Sequence, residues 1–263
     1  MQDVWNTLVQ KTREFVRQAG FHRVTLGLSG GIDSAVVACI AREALGAQNV
    51  LAVMMPSPYS SRGSVDDSRA LAAQWDFRVV MVPIGVLMIT FDDDLSAVFG
   101  HEEPRPITKE NLQARIRMVL LMAICNEQDR LLLNTCNKSE DYVGYCTLYG
   151  DNAGAVAPIG GLYKTEVYSL ARWINQNDQL PSIPINIIDK PPSAELSATQ
   201  LDTDDLPPYE VLDPILRMFI DENKSGHEIV QAGYDVDIVK KIVRLVLLSE
   251  FKRKQSPPVI ELL

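Results

Sequence analysis

The stretch VTLGLSGGIDSAVV, residues 24–37, decides the fold of this chain. Its first part, VTLGL at 24–28, consists mostly of residues that favour strands, and SGGIDS at 29–34 is a polar turn with two glycines. The apolar residues from Ala35 onward predict a buried helix that ends at Gly46. A strand, a glycine turn and a helix in this order form the first half of a right-handed βαβ unit.

Strands and helices alternate along the rest of the chain. Predicted helices cover residues 3–19, 64–75, 111–128, 165–176, 209–222, 226–232 and 236–249, and predicted strands cover residues 50–55, 77–84 and 130–135. Asp3, Ser64 and Ser225 are the expected N-caps. Because strands that alternate with helices pair in parallel, we predict an α/β fold, an open parallel sheet with helices on both faces, in a single domain over residues 1–263.

Three segments interrupt this pattern. Residues 92–108 are polar and contain prolines, so we predict a loop that ends where the next helix begins, near Thr108. The segment from Cys136 to Lys164 is rich in glycine, and irregular backbone of such length inside a compact domain is usually functional. Residues 181–208 are rich in proline and contain the acidic run DTDD, which predicts a mobile, solvated surface loop.

The composition limits the classes of partner. The net charge of −9 over 263 residues argues against nucleic acid, because duplex binding needs a basic surface, whereas a polyanionic small substrate needs only a few basic side chains in one cleft. No apolar stretch is long enough to span a membrane, and the first residues do not form a signal peptide. The cysteines lack CxxC spacing, so we expect a protein of the reducing cytoplasm; they are Cys39, Cys125, Cys136 and Cys146.

The turn at 29–34 has the composition of a phosphate site. The first N–H groups of the helix and its positive end can hold a phosphate, and Gly30 and Gly31 allow close approach of the backbone. Ser29 and Ser34 add hydroxyl donors. Asp33 is unusual beside an anion, and its presence makes sense if it binds a Mg²⁺ ion that neutralises the phosphates. The alternative is a tight turn in which Asp33 only improves the charge of the first helical turn.

Known motifs narrow the class. The chain has no GxxxxGK[ST] and no GxGxxG after its first strand, which argues against a kinase-type phosphate loop and a dinucleotide Rossmann site. SGGxDS instead resembles the signature loop of ATP pyrophosphatases of the adenine-nucleotide α-hydrolase-like, Rossmann-like fold. Further strings resemble NAD synthetases: NLQARIR (111–117), NTCNKSED (134–141), GYCTLYGDNAGAVAPIGGLYKTEVY (144–168) and FKRKQSPP (251–258). The resemblance covers nearly the whole chain and implies amidation of deamido-NAD to NAD through an adenylate, with release of AMP and pyrophosphate.

The resemblance also implies which residues hold ATP, the co-substrate. Asp33 and Glu140 would be the ligands of Mg²⁺, which prefers oxygen atoms from one or two carboxylates and from substrate phosphates. Thr135 is the last residue of the fourth predicted strand and would bond the nucleotide, together with the 29–34 turn. Lys164 would stabilise the charge of the departing pyrophosphate. Ser193 would close over the phosphates and help to exclude water from the adenylate.

On the other side of the reaction, the resemblance implies that Asn111 and Arg115 face deamido-NAD or ATP. Tyr149 and Asp151 would lie beside the nicotinate. Asp151 would orient or deprotonate the incoming ammonia, so that Asp151, Lys164 and Asp33 form the implied catalytic set. Ammonium is the main species at neutral pH, and a carboxylate is needed to attract it and accept a proton.

Structural alternatives exist for several of these residues. Arg115 and Arg117 are also compatible with the solvated face of an amphipathic helix, and Arg117 more so. Glu140 and Asp151 are compatible with caps or turn formers. A lysine at the position of Lys164, where a helix begins, is electrostatically unfavourable, which favours a functional role.

The source of nitrogen is the least determined part of the prediction. Ammonia-dependent members often carry a second acid shortly after the position of Asp151, where this chain has Gly154 and Ala155. GYCTLYGD and KRKQSPP are more similar to the synthetase portion of glutamine-dependent enzymes, but the glutaminase portion is missing from the chain. We predict an ammonia-dependent NAD synthetase, with a separate glutaminase as the alternative source of ammonia. The resemblance, and no pattern in the residues, implies that it is a homodimer.

Two other functions remain open. One is another amidating or thiolating ATP pyrophosphatase, which would share the 29–34 turn but leave the 144–168 string without a purpose. The other is a non-catalytic module that binds adenine nucleotides. A binder needs neither the second carboxylate of Glu140 nor the cation of Lys164, so their presence favours an enzyme.

Overall fold

The computed structural model describes residues 1–100, 102–193, 195–197 and 201–262. Its strands are β1 (Val24–Gly27), β2 (Val50–Met54), β3 (Arg78–Met81) and β4 (Leu131–Leu132). Its helices are α1 (Gln2–Gln18), α2 (Ile32–Leu45), α3 (Arg62–Trp75), α4 (Gly85–Ser96), α5 (Pro106–Gln128), α6 (Lys138–Val143), α7 (Lys164–Gln176), α8 (Ile185–Asp189), α9 (Asp202–Asp205), α10 (Tyr209–Leu216), α11 (Gly226–Gln231), α12 (Val236–Leu248) and α13 (Glu250–Arg253). None of these helices is both long enough and apolar enough to cross a bilayer.

The strands pair in parallel in the order β3-β2-β1-β4. Val24 of β1 lies opposite both Val50 and Leu131, so β1 is central. The chain leaves β1 on one side for β2 and reaches β4 on the other, which makes the gap between β1 and β4 a topological switch point. Ligands of open α/β sheets bind at such points, beyond the carboxyl ends of the strands.

Isolated bridges extend the sheet beyond β4. Leu133 pairs with Val156, and Ala157 pairs in turn with Val259 near the end of the described chain. The amide of Ala157 donates to the carbonyl of Pro258 at 2.9 Å. The glycine-rich segment after β4 is therefore fastened to the sheet edge, although it contains little regular structure.

Both faces of the sheet are covered, as predicted. Successive residues of β2 alternate between two hydrophobic clusters: Ala52 packs in the cluster that includes α1, α2 and α7, and Leu51 and Val53 pack in the cluster that includes α4 and α5. This alternation follows from the two-residue period of a strand. A third cluster joins α6 and α10 to α11 and α12. That last cluster lies beside the sheet and supports the segment after β4.

Several boundaries differ from the prediction. Ser64 does not cap α3; the N-cap is Ser61, three residues earlier, whose hydroxyl accepts the N–H of Ser64 at 3.0 Å, and the helix begins at Arg62. Asp3 lies in the first turn of α1 and is not its N-cap. Ser225 caps α11 as predicted, accepting the amide of Glu228. A second serine three residues before a candidate cap is a competing cap that the pattern did not resolve.

The predicted loops contain more helix than expected. Residues 92–96 belong to α4, and α5 begins at Pro106, which suits the first helical turn because a proline lacks the amide that would be unpaired there. The short helix α6 lies in the glycine-rich segment, and α8 and α9 lie in the proline-rich one. The helix expected over 209–222 is α10 followed by a π-helical turn at Arg217–Asp221.

Candidate active site

A cleft of about 280 Å³ opens at the carboxyl ends of β1 and β4, at the switch point of the sheet. Nine of the residues singled out in the sequence line it: Ser29, Gly31, Asp33, Ser34, Thr135, Glu140, Asp151, Lys164 and Ser193. Four segments that are far apart in the chain supply them: the 29–34 turn, the residues after β4, the start of α7 and the segment after α8. The fold therefore brings together the residues that the resemblance predicted to hold ATP.

The turn after β1 is shaped by Gly30. Its φ of +83° is a conformation that favours glycine, and a Cβ there would collide with the backbone carbonyl of Ser64 on α3. Around it, the hydroxyls of Ser29 and Ser34 lie 3.1 Å apart, and Gly31 donates its N–H to the Ser29 hydroxyl at 3.2 Å. No described side chain caps α2, so the first amides of that helix are available to an anionic ligand.

Lys164 joins the two predicted metal ligands. Its Nζ lies 2.5 Å from Asp33 Oδ2 and 2.9 Å from Glu140 Oε1. The Lys164 side chain is only 4% exposed, against 16% for Asp33 and 15% for Glu140. The ammonium also lies 5.2 Å from the centre of the Tyr209 ring. This arrangement places one cation between two carboxylates at the closed end of the cleft.

Lys164, Asp33 and Glu140 are called the triad below. Burial and the proximity of opposite charges set its electrostatics. Burial opposes the charged form of Lys164, but the charges and hydrogen bonds of Asp33 and Glu140 outweigh it, and the pKa of the ammonium is raised well above its ordinary value. Burial raises the pKa of Glu140, the charge of Lys164 lowers it, and the nearby Asp33 raises it further. On balance the pKa of Glu140 is raised to about 8, because burial outweighs the charge of Lys164.

The start of α6 explains why Asp33 and Glu140 meet. Asn137 caps α6 by accepting the N–H of Glu140 at 3.0 Å, and its amide nitrogen donates to Asp33 Oδ1 at 2.9 Å. One side chain therefore fixes the helix that carries Glu140 and orients the carboxylate of Asp33. Asn137 is fully buried, which makes this arrangement rigid.

The segment after α8 crosses the mouth of the cleft. Lys190 donates to the carbonyl of Gly30 at 2.9 Å, and the amide of Gln113 on α5 donates to the carbonyl of Leu196 at 2.7 Å. Between them, Glu195 accepts from the hydroxyl of Ser64 at 2.6 Å. Ser193 accepts the N–H of Glu195 at 3.1 Å and is thereby held over the cleft.

Of the four residues predicted to hold the second substrate, one lines the cleft and three do not. Asp151 lines the cleft, and its carboxylate accepts the N–H of Thr147 at 2.6 Å. Asp151 exposes part of its surface to the cleft, yet the surrounding chain crowds its carboxyl group, and this desolvation raises its pKa while the bond from Thr147 lowers it. The pKa of Asp151 is therefore higher than that of a freely solvated aspartate.

Asn111, Arg115 and Tyr149 lie next to the cleft and do not line it. Asn111 accepts the hydroxyl of Thr147 at 2.7 Å, and Arg115 donates to the carbonyl of Leu148 at 3.2 Å. Tyr149 is 65% exposed. All three thus cluster around residues 147–149, on the side of the cleft that Asp151 faces.

Sequence reasoning missed Arg117. The sequence left Arg117 open between the site and the solvated face of α5, and the structure places it in the cleft wall, where its Nε donates to the carbonyl of Met55 at 3.0 Å. Burial lowers the pKa of Arg117 to about 10, against the opposing charges of Asp151 and Glu195, so the guanidinium stays charged at neutral pH. The helical period is too uniform along α5 to show which arginine faces inward, since this helix carries apolar residues around most of its circumference.

Two further residues were misjudged. Lys190 had no motif to mark it, and the structure places it in the cleft beside the 29–34 turn. The acidic run was expected to be solvated, but Asp202 is 3% exposed, accepts the hydroxyl of Tyr209 at 2.8 Å and lines the cleft. A buried tyrosine hydroxyl needs a partner, and the carboxylate of Asp202 supplies it.

The donor set of the triad suits magnesium. Asp33 and Glu140 direct carboxylate oxygens toward the same point, which Lys164 Nζ occupies. Magnesium in proteins is usually bound by one or two carboxylates together with oxygen atoms of substrate phosphates. Within the described part of the chain, no group of three or more His, Cys, Asp and Glu side chains forms a metal cage by itself. Any metal here would need oxygen atoms from its substrate.

Comparisons with known proteins agree with this geometry. The chain matches the family model described as NAD synthase over residues 4–256. The glutamine-dependent NAD(+) synthetase of Synechocystis sp. is 49% identical over 257 residues, which are 98% of this chain and 46% of that protein. The chain thus spans about half the length of the curated relatives it matches.

Solved structures extend the comparison and confirm the predicted fold. The glutamine-dependent NAD+ synthetase of Acinetobacter baumannii, solved with ADP, is 41% identical with a TM-score of 0.69, over 96% of this chain and 45% of that chain. The NH3-dependent NAD synthetase of Campylobacter jejuni is 29% identical with a TM-score of 0.78, over 100% of this chain and 98% of that chain. The resemblance found in the sequence is therefore confirmed at the level of the family.

The geometry of Gly30 leads to a stability prediction. Gly30→Ala should lower the free energy of unfolding by about 1–2 kcal/mol for the left-handed backbone and by about a further 1–3 kcal/mol for the collision with Ser64. Gly20→Ala is the matched control, because Gly20 has the same φ of +83° but no atom near its Cβ position. Urea denaturation of both variants measures the difference, and equal losses would show that the contact with Ser64 does not constrain the turn.

Proposed function

The chain belongs to the NAD synthase family, and we propose that it amidates deamido-NAD to NAD with ATP. The observation that supports this best is the Lys164 triad beside an uncapped helix N-terminus, which combines a phosphate site with the charges needed to separate pyrophosphate from ATP. The nicotinate carboxylate attacks the α-phosphorus, and the bond to pyrophosphate breaks. Ammonia then attacks the acyl carbon, the bond to AMP breaks, and one proton is released.

The ATP end of the cleft would act through fixed charges and dipoles. The turn at Ser29 and Ser34 and the first amides of α2 bind phosphate oxygens. Lys164 stabilises the negative charge that develops on pyrophosphate. Magnesium held by Asp33 and Glu140 would neutralise phosphate charge and fix the triphosphate for in-line attack. Thr135, three residues after the end of β4, is the residue that we assign to the nucleotide.

The segment after α8 would help to protect the adenylate. Ser193 lies on the segment that Lys190 ties to the 29–34 turn, and Gln113 ties the same segment to α5. Exclusion of water from this space prevents hydrolysis of an activated carboxyl group before nitrogen arrives. Ser193 is the hydroxyl on this segment that we assign to the phosphates.

The end of the cleft that we assign to the nicotinate has one acidic side chain, Asp151, and one basic side chain, Arg117. Asp151 attracts ammonium and accepts its proton, and the raised pKa of its carboxyl group brings it nearer to the basicity this transfer requires. Arg117, charged and half-buried in the cleft wall, binds an anionic group of the substrates. Asn111, Arg115 and Tyr149 extend the site along the surface next to Asp151, where the rest of deamido-NAD would lie.

We propose ammonia as the species that reacts in this cleft. The NH3-dependent enzyme of Campylobacter jejuni has nearly the same length as this chain, which shows that this fold without further domains suffices for that enzyme. The curated relatives with the higher identities are glutamine-dependent and about twice as long, so a glutaminase, separate or attached, is the alternative source. The cleft chemistry is the same for both sources.

We further propose that the protein forms a homodimer through α4 and α5. These packed neighbours expose Val86 at 76%, Ile89 at 63% and Val119 at 66%, and Met122 is 41% exposed. Large apolar side chains grouped on two adjoining helices are typical of a protein interface. The exposed face of α5 also carries Arg115, so the interface would adjoin the site for deamido-NAD.

The activity is tested with purified protein, ATP, Mg²⁺, ammonium chloride and deamido-NAD. NAD and AMP should form in equal amounts, because each adenylate consumes one ATP. Formation of ADP, or of AMP without NAD, would contradict the proposal. A non-catalytic binder would consume no ATP at all.

Variants of the cleft test the assigned roles. Asp33→Asn and Glu140→Gln should each lower kcat by at least about a hundredfold, on the scale of removing one preorganised charge from a transition state. Arg117→Met should lower kcat/KM by at least tenfold. Asp237→Asn is the control, since its side chain is 88% exposed on α12. If the three cleft variants keep the turnover of the control, the triad and Arg117 are not part of the active site.

The nitrogen donor is tested by substituting glutamine for ammonium in the same assay. Activity with ammonium alone is the expected result for this chain, because neither glutamine nor its hydrolysis has an assigned place in the cleft. Equal rates with glutamine, in protein free of contaminating glutaminase, would overturn the assignment of ammonia. Rescue of the glutamine reaction by an added glutaminase would identify the second source.

The dimer is tested by light scattering coupled to size-exclusion chromatography. Ile89→Asp places a charge in the proposed interface and should convert a dimer to a monomer. Leu247→Asp is the matched control, because Leu247 is equally exposed, at 63%, on α12. A monomeric wild-type protein, or dissociation by the Leu247 variant alone, would show that α4 and α5 are not the interface.

A further inference from the structure

Asp213 is a buried carboxylate outside the cleft that connects two of its helices. It lies on α10 and is 2% exposed. Its Oδ1 accepts the hydroxyl of Ser139 at 2.6 Å, and its Oδ2 accepts the N–H of Thr165 at 2.8 Å. Asp213 therefore holds one residue at the start of α6 and another at the start of α7.

Ser139 completes the connection. While its hydroxyl donates to Asp213, it accepts the backbone N–H of Lys164 at 2.9 Å. Ser139 is fully buried and directly precedes Glu140, and Thr165 directly follows Lys164. The two residues that Asp213 holds are thus the chain neighbours of the glutamate and the lysine that meet in the triad.

The electrostatics favour this arrangement. Lys164 is the first residue of α7, where the positive end of the helix dipole opposes a cation. The carboxylate of Asp213 accepts an amide of that same first turn and places negative charge there. Asp213 thereby offsets the unfavourable position of Lys164, and α6 and α7 share one anion at their N-termini.

We infer that Asp213 is a positioning residue for the reaction, which sets the placement of Glu140 relative to Lys164 through Ser139 and the first turn of α7. The inference rests on the proposed function for its kinetic consequence only. Catalytic groups must be held within about 0.5 Å of their working positions by surrounding hydrogen bonds and packing. Helix α10 can hold Asp213 in a fixed position, because its residues Leu212, Ile215 and Leu216 are fully buried.

The test compares two variants that break the network with one that only weakens the core. Asp213→Asn leaves the Ser139 hydroxyl or the Thr165 amide without its acceptor, and Ser139→Ala removes the relay. Each should lower kcat for NAD formation at least tenfold and raise the Mg²⁺ concentration for half-maximal rate at least threefold, with a smaller change in KM for ammonium. Ile215→Val is the control for destabilisation, and Glu210→Gln, exposed on the same helix, is the control for charge.

A second measurement does not depend on turnover. Hydrogen exchange of the first amides of α7 should accelerate at least tenfold in Asp213→Asn and Ser139→Ala, and not in Ile215→Val. Calorimetry with Mg²⁺ and a non-hydrolysable ATP analogue should show weaker binding in the same two variants. If the wild type binds the analogue but forms no NAD, the proposed function fails and these two measurements still decide the role of Asp213.

The inference is overturned if the network variants behave like Ile215→Val. That result would be a lower Tm with unchanged exchange at α7, unchanged binding of the analogue and unchanged dependence on Mg²⁺. Should Asp213→Asn fail to fold, Ser139→Ala decides alone, because it deletes only one hydroxyl. A normal Ser139→Ala enzyme would equally contradict the relay.

Discussion

The structure depends on the burial of one cation between two carboxylates. Lys164 would be strongly destabilising at its buried position without Asp33 and Glu140, since removal of one partner from a buried ion pair costs about 3–5 kcal/mol. The need to keep these charges together links the 29–34 turn, α6 and α7, which are far apart in the sequence. On the proposed function, a triphosphate with its metal would compete for the same three side chains, and the site would exchange one set of opposite charges for another.

The sequence was sufficient to predict the parallel sheet and the glycine turn after its first strand. These features depend on local patterns: a strand is read from residues 24–28, and the turn is read from Gly30 and its neighbours. The association of Asp33 with Glu140 was predicted from the family resemblance alone. Its physical cause is Asn137, which caps one helix and bonds the carboxylate at the start of another. Such long-range bonds leave no periodic signal.

The errors have a common origin. Asp202 was expected in water and the solvated face was left open for Arg117, because charged side chains are usually exposed, yet both residues line the cleft. In a chain of net charge −9, a few basic side chains gathered in one cleft indicate more about the ligand than the net charge of the whole chain does. Hydrophobic period cannot reveal this, because α5 is apolar around most of its surface and the 202–205 run has no apolar period at all. The source of nitrogen is open for a different reason, since it depends on what surrounds the cleft.

The pairing of Ala157 with Val259 has a consequence for the order of folding. The strand edge beyond β4 finds its last partner only when a segment far along the chain has been synthesised and has returned to it. Until then, the stretch around Ala157 is paired with the sheet on one side only. A nascent chain would therefore expose an incomplete sheet edge to other proteins in the cell. The final residues of the described chain therefore cover this edge at Ala157, and covering an edge is one way in which proteins limit pairing with other chains.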